Sequence, residues 1–98
     1  MDTMTKISVR IRLFAQFREQ FGGAVPLSLE TGSTLLDALN ELAAGVPDGR
    51  KAFFEDDGGV REYVVLMRNG KRIETTEAAA TQLAEGDELA IFPPVAGG

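Results

Sequence analysis

Residues 6–14, Lys6-Ile7-Ser8-Val9-Arg10-Ile11-Arg12-Leu13-Phe14, alternate apolar and polar side chains with a period of two. Ile7, Val9, Ile11 and Leu13 hold the odd positions, so the stretch predicts a strand with one buried face and one wetted face. The alternation stops at Ala15-Gln16-Phe17-Arg18-Glu19-Gln20-Phe21, where Phe17 and Phe21 stand four apart before Gly22-Gly23. That pattern predicts a short helical turn closed by glycine. Val25, Leu27 and Leu29 then resume the alternation around Pro26, whose missing N–H confines the strand to a sheet edge. The first unit is therefore a hairpin with its second strand outermost.

Outward from this hairpin, Leu35, Leu36, Leu39, Leu42 and Ala43 recur at helical spacing after Ser33-Thr34. Ser33 or Thr34 is the expected N-cap, Asp37 complements the first turn, and Gly45 with Pro47 closes the helix. From Asp48 to Glu62 no period is clean; this is a long connection with room for a helical turn, in which Ala52-Phe53-Phe54 would be an apolar anchor. Tyr63-Val64-Val65-Leu66-Met67-Arg68 is an apolar run meeting Asn69-Gly70, a hairpin signal, and Lys71-Arg72-Ile73 returns from it. Leu83 to Asp87 supplies a turn and Glu88-Leu89-Ala90-Ile91-Phe92 a last strand. This order of hairpin, helix, strand, short strand and strand predicts an α+β, β-grasp fold. A mixed sheet of four to five strands carries one main helix on one face, with the parallel or crossover arrangement made between the second and third strands. One domain over 1–98 is expected, ending in an extended tail, 93–98.

Composition narrows the chemistry. Ninety-eight residues, 44% hydrophobic, suffice for one core. No cysteine and no histidine are present, which removes thiol nucleophiles, imidazole bases and most soft metal ligands. Ten Lys and Arg against 15 Asp and Glu give a net charge of −5, the wrong sign for a nucleic-acid partner. Glu55-Asp56-Asp57 lacks the spacing of a calcium loop, so no metal site is expected there. No apolar run is long enough to span a membrane or form a signal segment, and a cytoplasmic location is expected.

Two features point to function. At the tail, Pro93-Pro94 enforces an extended path, and Gly97-Gly98, lacking Cβ atoms, could thread a channel too narrow for other residues. The carboxylate of Gly98 would become an electrophile only on conversion to an acyl-adenylate, open then to sulfide, a thiolate or an amine. A glycine pair at a chain end can equally be a frayed terminus without a role. The other feature is the third strand, apolar at both parities. Charged Glu62 and Arg68 suggest that Val64 and Leu66 share their outer face, and with Phe92 they would form an exposed patch for a partner. Leu89 and Ile91 would point inward, and Glu88, Ala90 and Phe92 outward. Lys6, Arg10 and Arg12, with Arg68, Lys71 and Arg72, would be its polar rim or simply a solvated face. The competing expectation is that the connection 48–59 covers this face.

Several of these stretches together resemble the MoaD/ThiS family of ubiquitin-like sulfur carriers, most closely its molybdopterin synthase small subunits. They are Arg12-Leu13-Phe14-Ala15-Gln16-Phe17-Arg18-Glu19, Thr34-Leu35-Leu36-Asp37-Ala38-Leu39, Arg68-Asn69-Gly70, and the run from Glu85-Gly86-Asp87 to Phe92-Pro93-Pro94-Val95-Ala96-Gly97-Gly98. The connection 48–59 is similar to that of the archaeal small-modifier branch. The resemblance implies a non-catalytic carrier that binds no cofactor stably. Gly98 would be adenylated by a ubiquitin-activating-enzyme-like adenylyltransferase using ATP and magnesium, then thiocarboxylated by a sulfurtransferase system. The tail, through Pro93, Pro94 and Gly97, would enter the large subunit of molybdopterin synthase and deliver sulfur to a pterin precursor. Phe92 and Leu66 would be interface contacts, with Val64 and Arg68 beside them. Conjugation of Gly98 to protein lysines, and sulfur supply to cysteine- or thiamine-type biosynthesis, are the alternatives the resemblance leaves open.

Overall fold

The computed structural model describes residues 5–93. Strand β1 (Lys6–Leu13) leads through the short helix α1 (Ala15–Phe21) into β2 (Ala24–Glu30). The main helix α2 (Leu35–Ala44) follows, then α3 (Gly49–Phe53), the hairpin of β3 (Val65–Arg68) and β4 (Lys71–Ile73), a 3-10 turn at Thr75–Ala80, and β5 (Glu88–Phe92). The sheet order is β2-β1-β5-β3-β4, a mixed five-stranded β-grasp arrangement.

Local chemistry explains the element ends. Thr34 and Asp37 form a reciprocal capping box: the Asp37 N–H donates to Thr34 Oγ1 (3.2 Å) and the Thr34 N–H to Asp37 Oδ2 (2.9 Å). Pro26 sits in β2, an edge strand, opposite Arg10. Asn69 (φ 50°) and Gly70 (φ 85°) both take the left-handed conformation that a tight two-residue hairpin demands.

One expectation is met and one needs correction. The connection from the second strand to the third is a crossover: β2 and β3 run in the same direction with β1 and β5 between them, while the hydrogen-bonded parallel pair is β5 with β1, bringing the first and last strands together at the centre. The third strand begins later than its apolar run, because the Val64 N–H donates to the Arg61 carbonyl in a turn (3.1 Å) and Tyr63 is left exposed.

One face of the sheet carries the core. Ile7, Val9, Ile11 and Leu13 of β1 and Leu89 and Ile91 of β5 meet Leu35, Ala38, Leu39 and Leu42 of α2. Phe53 of α3 is fully buried on this same side, edge-on to Phe17 and stacked with Phe21. The connection 48–59 thus packs with the helices, through Phe53 and Phe54, and contributes to the core rather than to the opposite face.

Candidate functional site

Among the described residues, the opposite face of the sheet carries no helix. Residues directly paired across strands share a face, so its composition follows from the register. Arg12 lies beside Ala24 and Ala90, Met67 beside Ala90 and Arg72, Val65 beside Phe92, and Arg10 beside Pro26 and Glu88. Phe92 stacks on Phe14 with ring centroids 4.3 Å apart and planes 8° from parallel. Phe14, Phe92, Val65, Met67 and Ala90 are each half-buried and form an apolar strip. Arg10, Arg12 and Arg72 border it as exposed cations, while Lys6 lies at the far end of β1, paired with Glu30 of β2.

This strip replaces the patch expected from the sequence. Val64 is 1% exposed and Leu66 0%, Leu66 lying opposite Ile91 on the core side. Both are core residues and neither is available to a partner; their neighbours Val65 and Met67 hold the outward positions. The expectation that Phe92 and Ala90 face outward and Leu89 and Ile91 inward agrees with the register. Arg68 shares the core parity of Leu66 and is tethered there by an ion pair. Its Nε donates to Asp87 Oδ2 at 2.9 Å, so its charge is spent within the molecule.

Asp87 is the buried carboxylate of this region, 6% exposed. Burial pushes its pKa up. The opposing hydrogen bonds from Asn69 Nδ2 (2.9 Å), the Ala84 N–H (2.8 Å) and Arg68, with the Arg68 charge, outweigh burial and hold it below the ordinary carboxylate value. Asn69 Oδ1 in turn accepts from the Glu88 N–H at 2.9 Å. The β3–β4 hairpin is thereby fastened to the start of β5.

The tail begins from this frame. Ile91 is paired with Leu13 on one side and Leu66 on the other, and Phe92 with Val65, so the end of β5 is held from both flanks. Pro93, the first tail residue, is buried. Pro94, Gly97 and Gly98 lie outside the described residues. In the acidic loop, Glu55 accepts from Arg61 Nη1 at 3.0 Å and Asp57 from the Gly59 N–H at 2.9 Å. Among the described residues, no group of three or more Asp or Glu is placed to hold a metal ion, and no helix is long and apolar enough to cross a membrane.

The profile of the ThiS family matches residues 11–98. Small archaeal modifier protein 3 of Haloferax volcanii is 34% identical over 93 residues, covering 94% of this chain and 100% of that protein. The molybdopterin synthase sulfur carrier subunit of Arabidopsis thaliana is 36% identical over 100 residues, covering 99% of this chain and 90% of that protein. Among solved structures, the crystal structure of SAMP1 from Haloferax volcanii superposes with a TM-score of 0.82 at 36% identity, covering 93% of this chain and 99% of the other.

Proposed function

The chain belongs to the ThiS family, and from that premise we propose that it is a sulfur carrier whose Gly98 carboxylate is adenylated and converted to a thiocarboxylate. Its sulfur goes to a pterin precursor in molybdopterin synthesis. The carboxylate oxygen leaves with AMP once ATP has activated it, and a sulfur nucleophile from a sulfurtransferase takes its place. The chain supplies the carboxylate and the docking face. An adenylyltransferase of the ubiquitin-activating type supplies ATP, magnesium and catalytic groups, and a molybdopterin synthase large subunit receives the loaded tail. The observation that carries this reading is the extent of the family match, which runs to residue 98 and so includes Gly97-Gly98. The similarity to the Arabidopsis carrier subunit over 99% of this chain supports the choice of acceptor.

A second reading is favoured by the Haloferax relatives, which are named small archaeal modifier proteins. In it the same adenylate is attacked by lysine amines, and Gly98 ends in an isopeptide bond.

The test is intact-mass analysis after incubation with the activating enzyme, ATP and a sulfur donor. Replacement of one oxygen by sulfur is expected, and an unchanged mass would sink the carrier reading. Peptide mapping of the host proteome decides the second reading by the presence or absence of a Gly-Gly remnant on lysines.

A further inference from the structure

Beside the apolar strip an open groove of about 540 Å³ runs between the end of β1 and the α1–β2 turn. Three arginines line it: Arg10 and Arg12 from the open face of β1, and Arg18 from α1. Gly23 makes room for the third, because a Cβ there would stand 3.3 Å from Arg18 Nε. Arg12 also lies over the Phe14 ring, 5.9 Å from its centroid, which joins the groove to the strip.

The groove's arginines differ from Arg50, Arg61 and Arg68 in what they touch. Arg61 is paired to Glu55 and Arg68 to Asp87, while Arg50 stacks on Phe54 and donates to Asn40. In the groove, Arg10 and Arg18 make no ion pair among the described residues. Arg12 has only a loose one: Nη1 to Glu88 Oε2 at 3.7 Å, with the two side chains 55% and 49% exposed. A pair so wetted is weak and easily exchanged.

We propose that this groove is a docking site for a short acidic segment of a protein partner, whose carboxylates displace Glu88 from Arg12 and engage Arg10 and Arg18. Guanidinium forks match carboxylates in geometry, and the site's resident occupant is already a carboxylate. A dense polyanion such as nucleic acid fits less well, because Glu88 lies within the groove and the chain carries −5 overall. The site sits against Phe14, which stacks on Phe92 at the root of the tail, so an acidic segment held here would bring its owner to the tail. Assigning that owner as the activating enzyme rests on the carrier reading above.

Two measurements test the proposal. In the first, a hexaglutamate peptide is titrated into the isotope-labelled protein at low salt, and the arginine Nε–Hε signals are followed. Shifts should be confined to Arg10, Arg12 and Arg18, vanish with Arg12→Glu/Arg18→Glu, and saturate at lower peptide concentration with Glu88→Gln. Absence of shifts, or equal shifts at Arg50 and Arg61, would overturn it. In the second, ATP–pyrophosphate exchange is measured with the purified adenylyltransferase from the same genome. Each reversed charge, Arg12→Glu or Arg18→Glu, should raise KM for the carrier by about fivefold with kcat unchanged. Lys51→Glu, outside the groove lining, should not. Unchanged KM in the arginine variants also overturns the proposal. If the unaltered chain supports no exchange at all, the carrier reading fails instead, and the peptide titration alone decides the groove.

Discussion

Leu66 is fully buried opposite Ile91, whereas Met67, the next residue, stands half-buried on the open face between Ala90 and Arg72. Truncation should separate the two roles. Leu66→Ala should cost about 2–5 kcal/mol by leaving a cavity, and Met67→Ala less than about 1 kcal/mol. If the carrier reading holds, Met67→Asp and Phe92→Asp should nevertheless weaken binding to an activating enzyme; equal urea midpoints with unchanged affinity would show that the strip is not a docking surface. The sequence misled here at two residues: Glu62 lies in the turn before β3 and carries no parity, and Arg68 points the wrong way. A charge at position 68 normally marks the outward parity, and Arg68 breaks that rule because Asp87, nineteen positions away, receives it on the core side. No local pattern announces a partner so distant, so Val65 and Met67 could be found only through the register with β5. Asp87 itself carries a pH prediction. Its folded pKa lies below the ordinary value, so its contribution is present above the unfolded pKa of about 3.9 and is lost as pH falls through the lower folded value. Urea unfolding at neutral pH should show Asp87→Asn less stable by about 1–3 kcal/mol, with the gap narrowing as pH falls below the unfolded carboxylate value. A gap independent of pH would show that the carboxylate charge is not what matters.

At the scale of elements, the signals that were local in sequence were legible. The Thr34/Asp37 box, the Asn69-Gly70 hairpin, the edge proline and the alternation of β1 each rest on neighbours within four positions, and each forms as those neighbours require. Helix α3 was legible only as a possible turn, because five residues are too few for a helical period. What holds it is tertiary: Gly49 abuts the Ala43 backbone of α2 so closely that an added Cβ would collide with the Ala43 carbonyl. Gly49→Ala should therefore force α3 away from α2 and cost about 1–3 kcal/mol or more. Gly45, at the end of α2, is a sharp control. It adopts an ordinary right-handed conformation (φ −85°, ψ −2°), and an added Cβ would meet Leu42 O at a comfortable 3.7 Å. Gly45→Ala should be neutral or stabilise by up to about 1 kcal/mol through the unfolded chain. Equal losses at both positions, measured by urea unfolding, would refute the close approach as the cause.

For the whole molecule, the decisive fact is that the last strand is the central one. In the order β2-β1-β5-β3-β4, the hairpins β1–β2 and β3–β4 share no strand pairing except through β5. Arg10 must find Glu88 across most of the chain, so this closure carries a large loop-entropy cost and is completed only when residues 88–92 are available. The consequence for function is that any reaction at the tail is tied to a finished fold: the segment that would carry the carboxylate follows directly from the strand that joins the two halves. Truncation can separate these duties. A chain ending at Asp87 lacks β5 and should fail to give a cooperative unfolding transition. A chain ending at Pro93 keeps every described strand and should unfold at the midpoint of the full-length protein, yet be inert toward adenylation. In the full-length protein, the inner amides of β5 should exchange hydrogen only through global unfolding, with protection matching the stability from urea. If a chain ending at Asp87 folded cooperatively, or β5 exchanged by local opening, the sheet would not depend on its last strand, and the coupling between folding and presentation of the tail would be lost.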